Sequence, residues 1–101
     1  QTWRYTILPD GSLSNKTLFV SKGSDGMTMD ERGDLYLCAT GVSNGVSIFS
    51  PAGRLLEHID VPEKWSANVC FGGADHQTLF ITASHGLYAI RLTVRGANPA
   101  K

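Results

Sequence analysis

The sequence predicts an all-β fold built as an antiparallel meander. Glycine supplies 11 of the 101 residues and punctuates short runs rich in Val, Ile, Leu, Thr, Phe and Tyr. These runs recur about every 8 to 12 residues with turn chemistry between them. No stretch of ten or more residues keeps the roughly 3.6-residue apolar period of a helix, so little helix is expected.

Nine strands follow in order. Residues 3–8 and 17–20 flank the turn-forming quartet Pro9-Asp10-Gly11-Ser12. Residues 27–30 and 35–39 flank Glu31-Arg32-Gly33-Asp34, which reads as a charged hairpin turn. It lacks the alternating ligands and closing Glu of a calcium loop. Residues 46–50 and 55–61 flank Pro51-Ala52-Gly53, and the last three strands cover 68–71, 79–83 and 87–92. Leu35-Tyr36-Leu37-Cys38-Ala39 is apolar on both faces, as expected of a strand between two packed layers. Residues 55–61 mix Glu57, His58 and Asp60 with Leu and Ile, as expected of an outer, half-wet strand.

Charge and cysteine content narrow the function. Nine Lys+Arg balance nine Asp+Glu, which argues against a nucleic-acid partner. No apolar run approaches the roughly 18 residues of a membrane span, and no signal-peptide pattern is present, so no membrane partner is expected. The compartment, cytoplasmic or periplasmic, is not specified. Cys38 and Cys70 lie in apolar stretches and read as buried free thiols. His58 and His76 read as solvated surface residues. Asn15-Lys16-Thr17 matches a glycosylation sequon, relevant only in a secretory setting.

The chain also repeats itself. Met27-Thr28-Met29 and Leu35-Tyr36-Leu37 are echoed by Val69-Cys70-Phe71 and Leu79-Phe80-Ile81, and Gly45-Val46-Ser47-Ile48 by Gly86-Leu87-Tyr88-Ala89. The offsets are 42, 44 and 41 residues. That period suits a four-stranded propeller blade, with a β-sandwich as the alternative. In phase, the chain holds the last two strands of one blade, a whole blade and three strands of another. The expectation is a part of a longer chain, with open blade edges through which the isolated piece would self-associate.

Blade topology sorts the polar residues between two ends. Lys22, Ser24, Asp25, Thr40, Ser43, Asn44, Trp65, Asn68, Ser84 and His85 fall on one end, and Asp30, Glu31, Asp34, Asp75 and His76 on the other. Asp25 opens an innermost strand, where a carboxylate can bind a hard cation or accept a proton from water. The alternative is a turn aspartate bonded to its own backbone. Asn68 holds almost the same place one repeat later, and could line a pocket floor or cap a loop. His85 follows Ser84 with no acid nearby in sequence, so a serine triad is unsupported and a surface loop is the plainer reading.

Three segments carry a family resemblance. Residues from Ser24-Asp25-Gly26-Met27 through Asp30-Glu31-Arg32-Gly33-Asp34-Leu35-Tyr36 resemble the Pro-Asp-Gly-Met…Asp-x-x-Gly-x-Leu-Tyr segment of the senescence-marker-protein/gluconolactonase family, which includes regucalcin-like and luciferin-regenerating-enzyme-like proteins. Val46-Ser47-Ile48-Phe49-Ser50-Pro51-Ala52-Gly53 and Asn68-Val69-Cys70-Phe71-Gly72-Gly73 with Thr78-Leu79-Phe80-Ile81-Thr82 resemble its next blocks, and residues 87–96 are similar to its C-terminal end. The resemblance implies a six-bladed β-propeller. Residues 1–101 would be its C-terminal third, about two blades, with the N-terminal blades absent.

It also implies a metal-dependent lactone hydrolase acting on a sugar lactone. The divalent metal would be calcium, with zinc, magnesium or manganese as alternatives. Of the family's ligands only the Asp of Asp-Gly-Met maps here, onto Asp25, which in the family is also the proton acceptor. Ser24 replaces the usual Pro. Asn68 and His85 are expected to contact substrate, by position. The isolated chain is expected to be inactive. The competing reading is a non-catalytic calcium-binding or interaction propeller fragment.

Overall fold

The computed structural model describes residues 1–39 and 44–97. It contains nine strands: β1 (Thr2–Ile7), β2 (Leu13–Val20), β3 (Met27–Met29), β4 (Leu35–Ala39), β5 (Gly45–Phe49), β6 (Leu55–Ile59), β7 (Ser66–Gly72), β8 (Thr78–Ala83) and β9 (Leu87–Arg91). There is no helix among the described residues. The strands form antiparallel sheets of two (β1-β2), four (β3-β4-β5-β6) and three (β7-β8-β9), each strand pairing with its sequence neighbour. This is the expected grouping. Only β2 differs clearly, starting at Leu13 rather than residue 17. Asn15, at φ 54°, lies within a register shift and carries the strand through polar Ser14 and Lys16.

The turns explain the meander. Asp10 accepts the Ser12 amide at 2.9 Å and the Ser12 hydroxyl at 2.6 Å, closing the β1–β2 turn. In the β3–β4 turn Gly33 sits at φ 86°, which a Cβ would disfavour. The Asp30 carboxylate there accepts the amides of Arg32 (2.9 Å) and Asp34 (3.0 Å) and the Tyr36 hydroxyl (2.9 Å). Asp30 is 2% exposed. The charged turn is therefore anchored from inside by one buried carboxylate.

Two apolar interfaces hold the sheets. Tyr36, Cys38, Val46 and Ile48 of the middle sheet pack on Val69, Leu79 and Ile81 of the third, joined by Val61. Leu37 and Phe49 pack on Val20 toward the first sheet, flanked by Phe19 and Leu35. Alternate residues of β4 thus serve both cores, as its two apolar faces predict. β6 is the wet outer strand expected, with Leu55, Leu56 and Glu57 exposed. Beyond β9 the chain crosses back to the β3–β4 turn. Arg95 accepts the Glu31 amide (2.8 Å), Ala97 donates to Met29 (2.8 Å), and Asp30 and Gly96 form a bridge.

Two expectations fail here. Cys38 is buried but Cys70 is exposed, because β7 alternates and Cys70 faces away from the core, beside Phe80 and Leu87. His58 is not a solvated residue. Its side chain is 27% exposed, and its two ring nitrogens reach Ser47 Oγ at 2.9 Å and the Asn44 carbonyl at 2.7 Å. His76 is exposed, as expected. Apolar side chains stay exposed on the first sheet, at Trp3, Ile7, Leu13 and Leu18, and on the third, where Leu87 lies beside Cys70 and Phe80, while Met27 and Met29 line a groove between the first and middle sheets.

Candidate functional site

Asp25 lies in the β2–β3 loop and is exposed. The residue after it is fixed from two sides. The Gly26 carbonyl accepts a hydrogen bond from the Ser24 hydroxyl and another, 3.0 Å long, from the Cys38 amide. Burial pushes the Cys38 thiol up, and the nearby negative charge of Asp25 adds to it against a hydrogen bond with Ser66. Asp25 therefore immediately precedes the anchored entry to β3, the edge strand of the middle sheet.

The start of β7 closes this place from the next sheet. A Cβ at Gly26 would stand 2.3 Å from Asn68 Oδ1 and 2.7 Å from the Ala67 carbonyl oxygen. Asn68 Oδ1 also accepts the Val69 amide at 2.9 Å, which orients the side chain. Gly26, the residue after Asp25, thus abuts Asn68 across a sheet boundary. Lys22, three residues before Asp25, is tied in as well. Its ammonium donates to Ser47 Oγ at 3.5 Å, Ser47 donates to His58 Nδ1, and His58 Nε2–H donates to the Asn44 carbonyl. Thr40 and Ser43, expected at this end, lie outside the described residues.

His85 belongs to a different grouping. Its ring lies 3.6 Å from Glu63, a residue of the β6–β7 loop whose side chain is only 8% exposed. Glu63 Oε1 also accepts the Ser84 hydroxyl at 2.9 Å and the His85 amide. An acid is therefore present beside Ser84 and His85, contrary to the sequence reading. It does not make a triad, because the serine donates to the carboxylate rather than to the imidazole. Nothing in sequence spacing announces Glu63, since the two loops converge only in the fold. At the opposite end, the Arg91 guanidinium beside Asp75 holds that carboxyl below its ordinary range.

The donor set near this place, the Asp25 carboxylate and the Asn68 amide oxygen against Gly26, is of the type a hard cation takes. It falls short of the six to eight oxygens that calcium takes. Among the described residues no group of three His, Cys, Asp or Glu could hold a metal ion.

Sheets of two, four and three consecutive antiparallel strands, stacked face to face with a carboxylate at an innermost strand, define part of a β-propeller. The chain belongs to the SMP-30/gluconolactonase/LRE-like family, whose region matches residues 1–85. It is 34% identical to a gluconolactonase of Zymomonas mobilis over 93% of this chain and 29% of that protein. It is 35% identical to a 6-deoxy-6-sulfogluconolactonase of Pseudomonas putida over 81% of this chain and 30% of that one. A solved gluconolactonase structure from Xanthomonas campestris superposes with a TM-score of 0.75 at 31% identity, covering 89% of this chain and 29% of that one. The chain thus spans about 30% of the length of these relatives.

Proposed function

We propose that these strands form part of a propeller that hydrolyses a sugar lactone, with Asp25 as metal ligand and proton acceptor and Asn68 beside it on the substrate side. The observation that carries this reading is the close approach of Gly26, next to Asp25, to Asn68 on the neighbouring sheet. Family membership and relatives named gluconolactonase and 6-deoxy-6-sulfogluconolactonase support the reaction and substrate class. Asp25 accepts a proton from water as that water adds to the ring carbonyl. The ring C–O bond then breaks as Asp25 returns that proton to the leaving ring oxygen, giving the open aldonic acid with a free hydroxyl, and the acid ionises to the aldonate. A divalent ion such as calcium, when bound, would supply polarisation of the carbonyl and acidification of the water. One carboxylate and one amide do not complete its shell, so the chain by itself is proposed to be inactive. The exposed apolar side chains of the first and third sheets support self-association of the isolated chain. His85, which lies against Glu63, is the second residue proposed to contact substrate.

The test is made in a full-length propeller carrying this segment. Asp25→Asn should weaken divalent-ion binding in calorimetry and lower lactone hydrolysis by about 100-fold or more. Asp75→Asn, at the opposite end, should leave both nearly unchanged. Hydrolysis that survives Asp25→Asn would overturn the reading.

A further inference from the structure

We infer that Lys22 and Ser47 are positioning residues for Asp25, joined into a strut that holds the β2–β3 loop against the middle sheet. The inference rests on the metal-ligand role proposed above for Asp25 and extends it to the residues that fix where its carboxylate stands. Residues 21–26 link β2 to β3, and Asp25 within them is exposed. A carboxylate on a free loop is a poor ligand, because ordering its backbone opposes binding. Here the chain is held on both sides of it. After Asp25, the Gly26 carbonyl accepts the Cys38 amide and the Ser24 hydroxyl. Before it, Lys22 is held twice. Its carbonyl accepts the Thr2 hydroxyl of β1 at 2.7 Å, and its ammonium reaches Ser47 Oγ of β5 at 3.5 Å. Only Gly23, Ser24 and Asp25 lie between the two pins.

Ser47 is the odd residue of its strand. β5 is buried throughout, and Ser47 lies 2% exposed between Val46 and Ile48. A hydroxyl in that place costs free energy unless it is bonded, a cost that an apolar residue avoids. Its bonds are supplied from two sides. Across the β5–β6 ladder it meets His58 Nδ1 at 2.9 Å, while His58 Nε2 donates to the Asn44 carbonyl at 2.7 Å. His58 thereby fixes the Ser47 rotamer, so its oxygen is a stationary point. An ammonium can only donate, so Ser47 is the acceptor for Lys22. The line from Lys22 through Ser47 and His58 to Asn44 ties the loop that carries Asp25 to the residue that opens β5.

The experiment uses a full-length propeller carrying this segment and begins with Ser47→Ala, which removes one buried oxygen and leaves the net charge unaltered. In the metal-free protein, hydrogen exchange of the Cys38 amide reports on the Gly26 end of the loop. It should quicken about fivefold, the worth of one hydrogen bond. Lys22→Met should quicken it as much, and the double variant no further, since the two residues are ends of one strut. Calcium affinity in calorimetry should also fall about fivefold with Ser47→Ala. Added to Asp25→Asn, the same change should have no further effect, whereas a general loss of packing would weaken binding in both backgrounds. Unchanged Cys38 exchange in Ser47→Ala, or additive effects of the two variants, would overturn the strut. Faster exchange with unaltered calcium affinity would overturn the positioning role. Calcium binding that survives Asp25→Asn sinks the proposed function alone, because Cys38 exchange decides the strut without the ion.

Discussion

Gly26→Ala probes how closely the two sheets approach at Asp25. The added methyl would meet Asn68 Oδ1 at 2.3 Å and the Ala67 carbonyl oxygen at 2.7 Å, both well inside van der Waals contact. The Asn68 side chain can swing away, at the loss of its bond to the Val69 amide, about 1 kcal/mol. The Ala67 carbonyl belongs to the backbone and can yield only if the sheets separate. Overpacking of this kind costs about 1–3 kcal/mol. The two parts together come to about 2–4 kcal/mol, or about 8–30 °C in the melting temperature of a domain this size. Thermal unfolding followed by circular dichroism measures it, as a cycle with Asn68→Ala. The double variant should regain about 1 kcal/mol relative to the sum of the single changes, because only the side-chain clash is relieved. A neutral Gly26→Ala would refute the close approach. Strict additivity would show that Asn68 is not the wall.

Acid should loosen the β8–β9 turn before the cores melt. The Glu63 carboxyl is held below its ordinary range, chiefly by Tyr88 and then by Ser84 and the His85 amide. Its contribution is therefore complete above the unfolded value and lost as pH falls through the lower folded one. Exchange of the His85 amide should accelerate over that interval, and a flat profile would contradict the assignment. In sedimentation velocity the isolated 10.9 kDa chain should grow with loading concentration. Leu87→Lys, which charges the uncovered third sheet at a residue 67% exposed, should reduce that growth. A monomer at every loading would argue against association through these faces.

The strands were readable because their signals are local. Glycine and aspartate at the turns and alternating apolar residues between them recover all nine elements and the two-faced character of β4. The 42-residue repeat carried the equivalence of the entries to β3 and β7, which lie side by side where Gly26 abuts Asn68. Asp30 was less legible. A buried carboxylate that caps a turn from inside has the same letters as a solvated one, and only the Tyr36 hydroxyl beneath it tells them apart. Cys70 and His58 depend on which face of a strand meets a neighbour, which periodicity alone does not assign. Glu63 and His85 are joined by loops from different hairpins, a convergence that no local pattern encodes.

The return of the chain after β9 bears on the order in which the molecule assembles. Every ladder joins consecutive strands, so each sheet can zip up from its own turns with little loop closure. The ties from Glu31 to Arg95 and from Met29 to Ala97 are different in kind, for they close loops of more than 60 residues. Such a latch gains nothing until the middle and third sheets have already docked through Tyr36, Val69 and Leu79. This segment is thus the last to engage, and until it does the β3–β4 turn keeps the backbone groups of Met29 and Glu31 open to water.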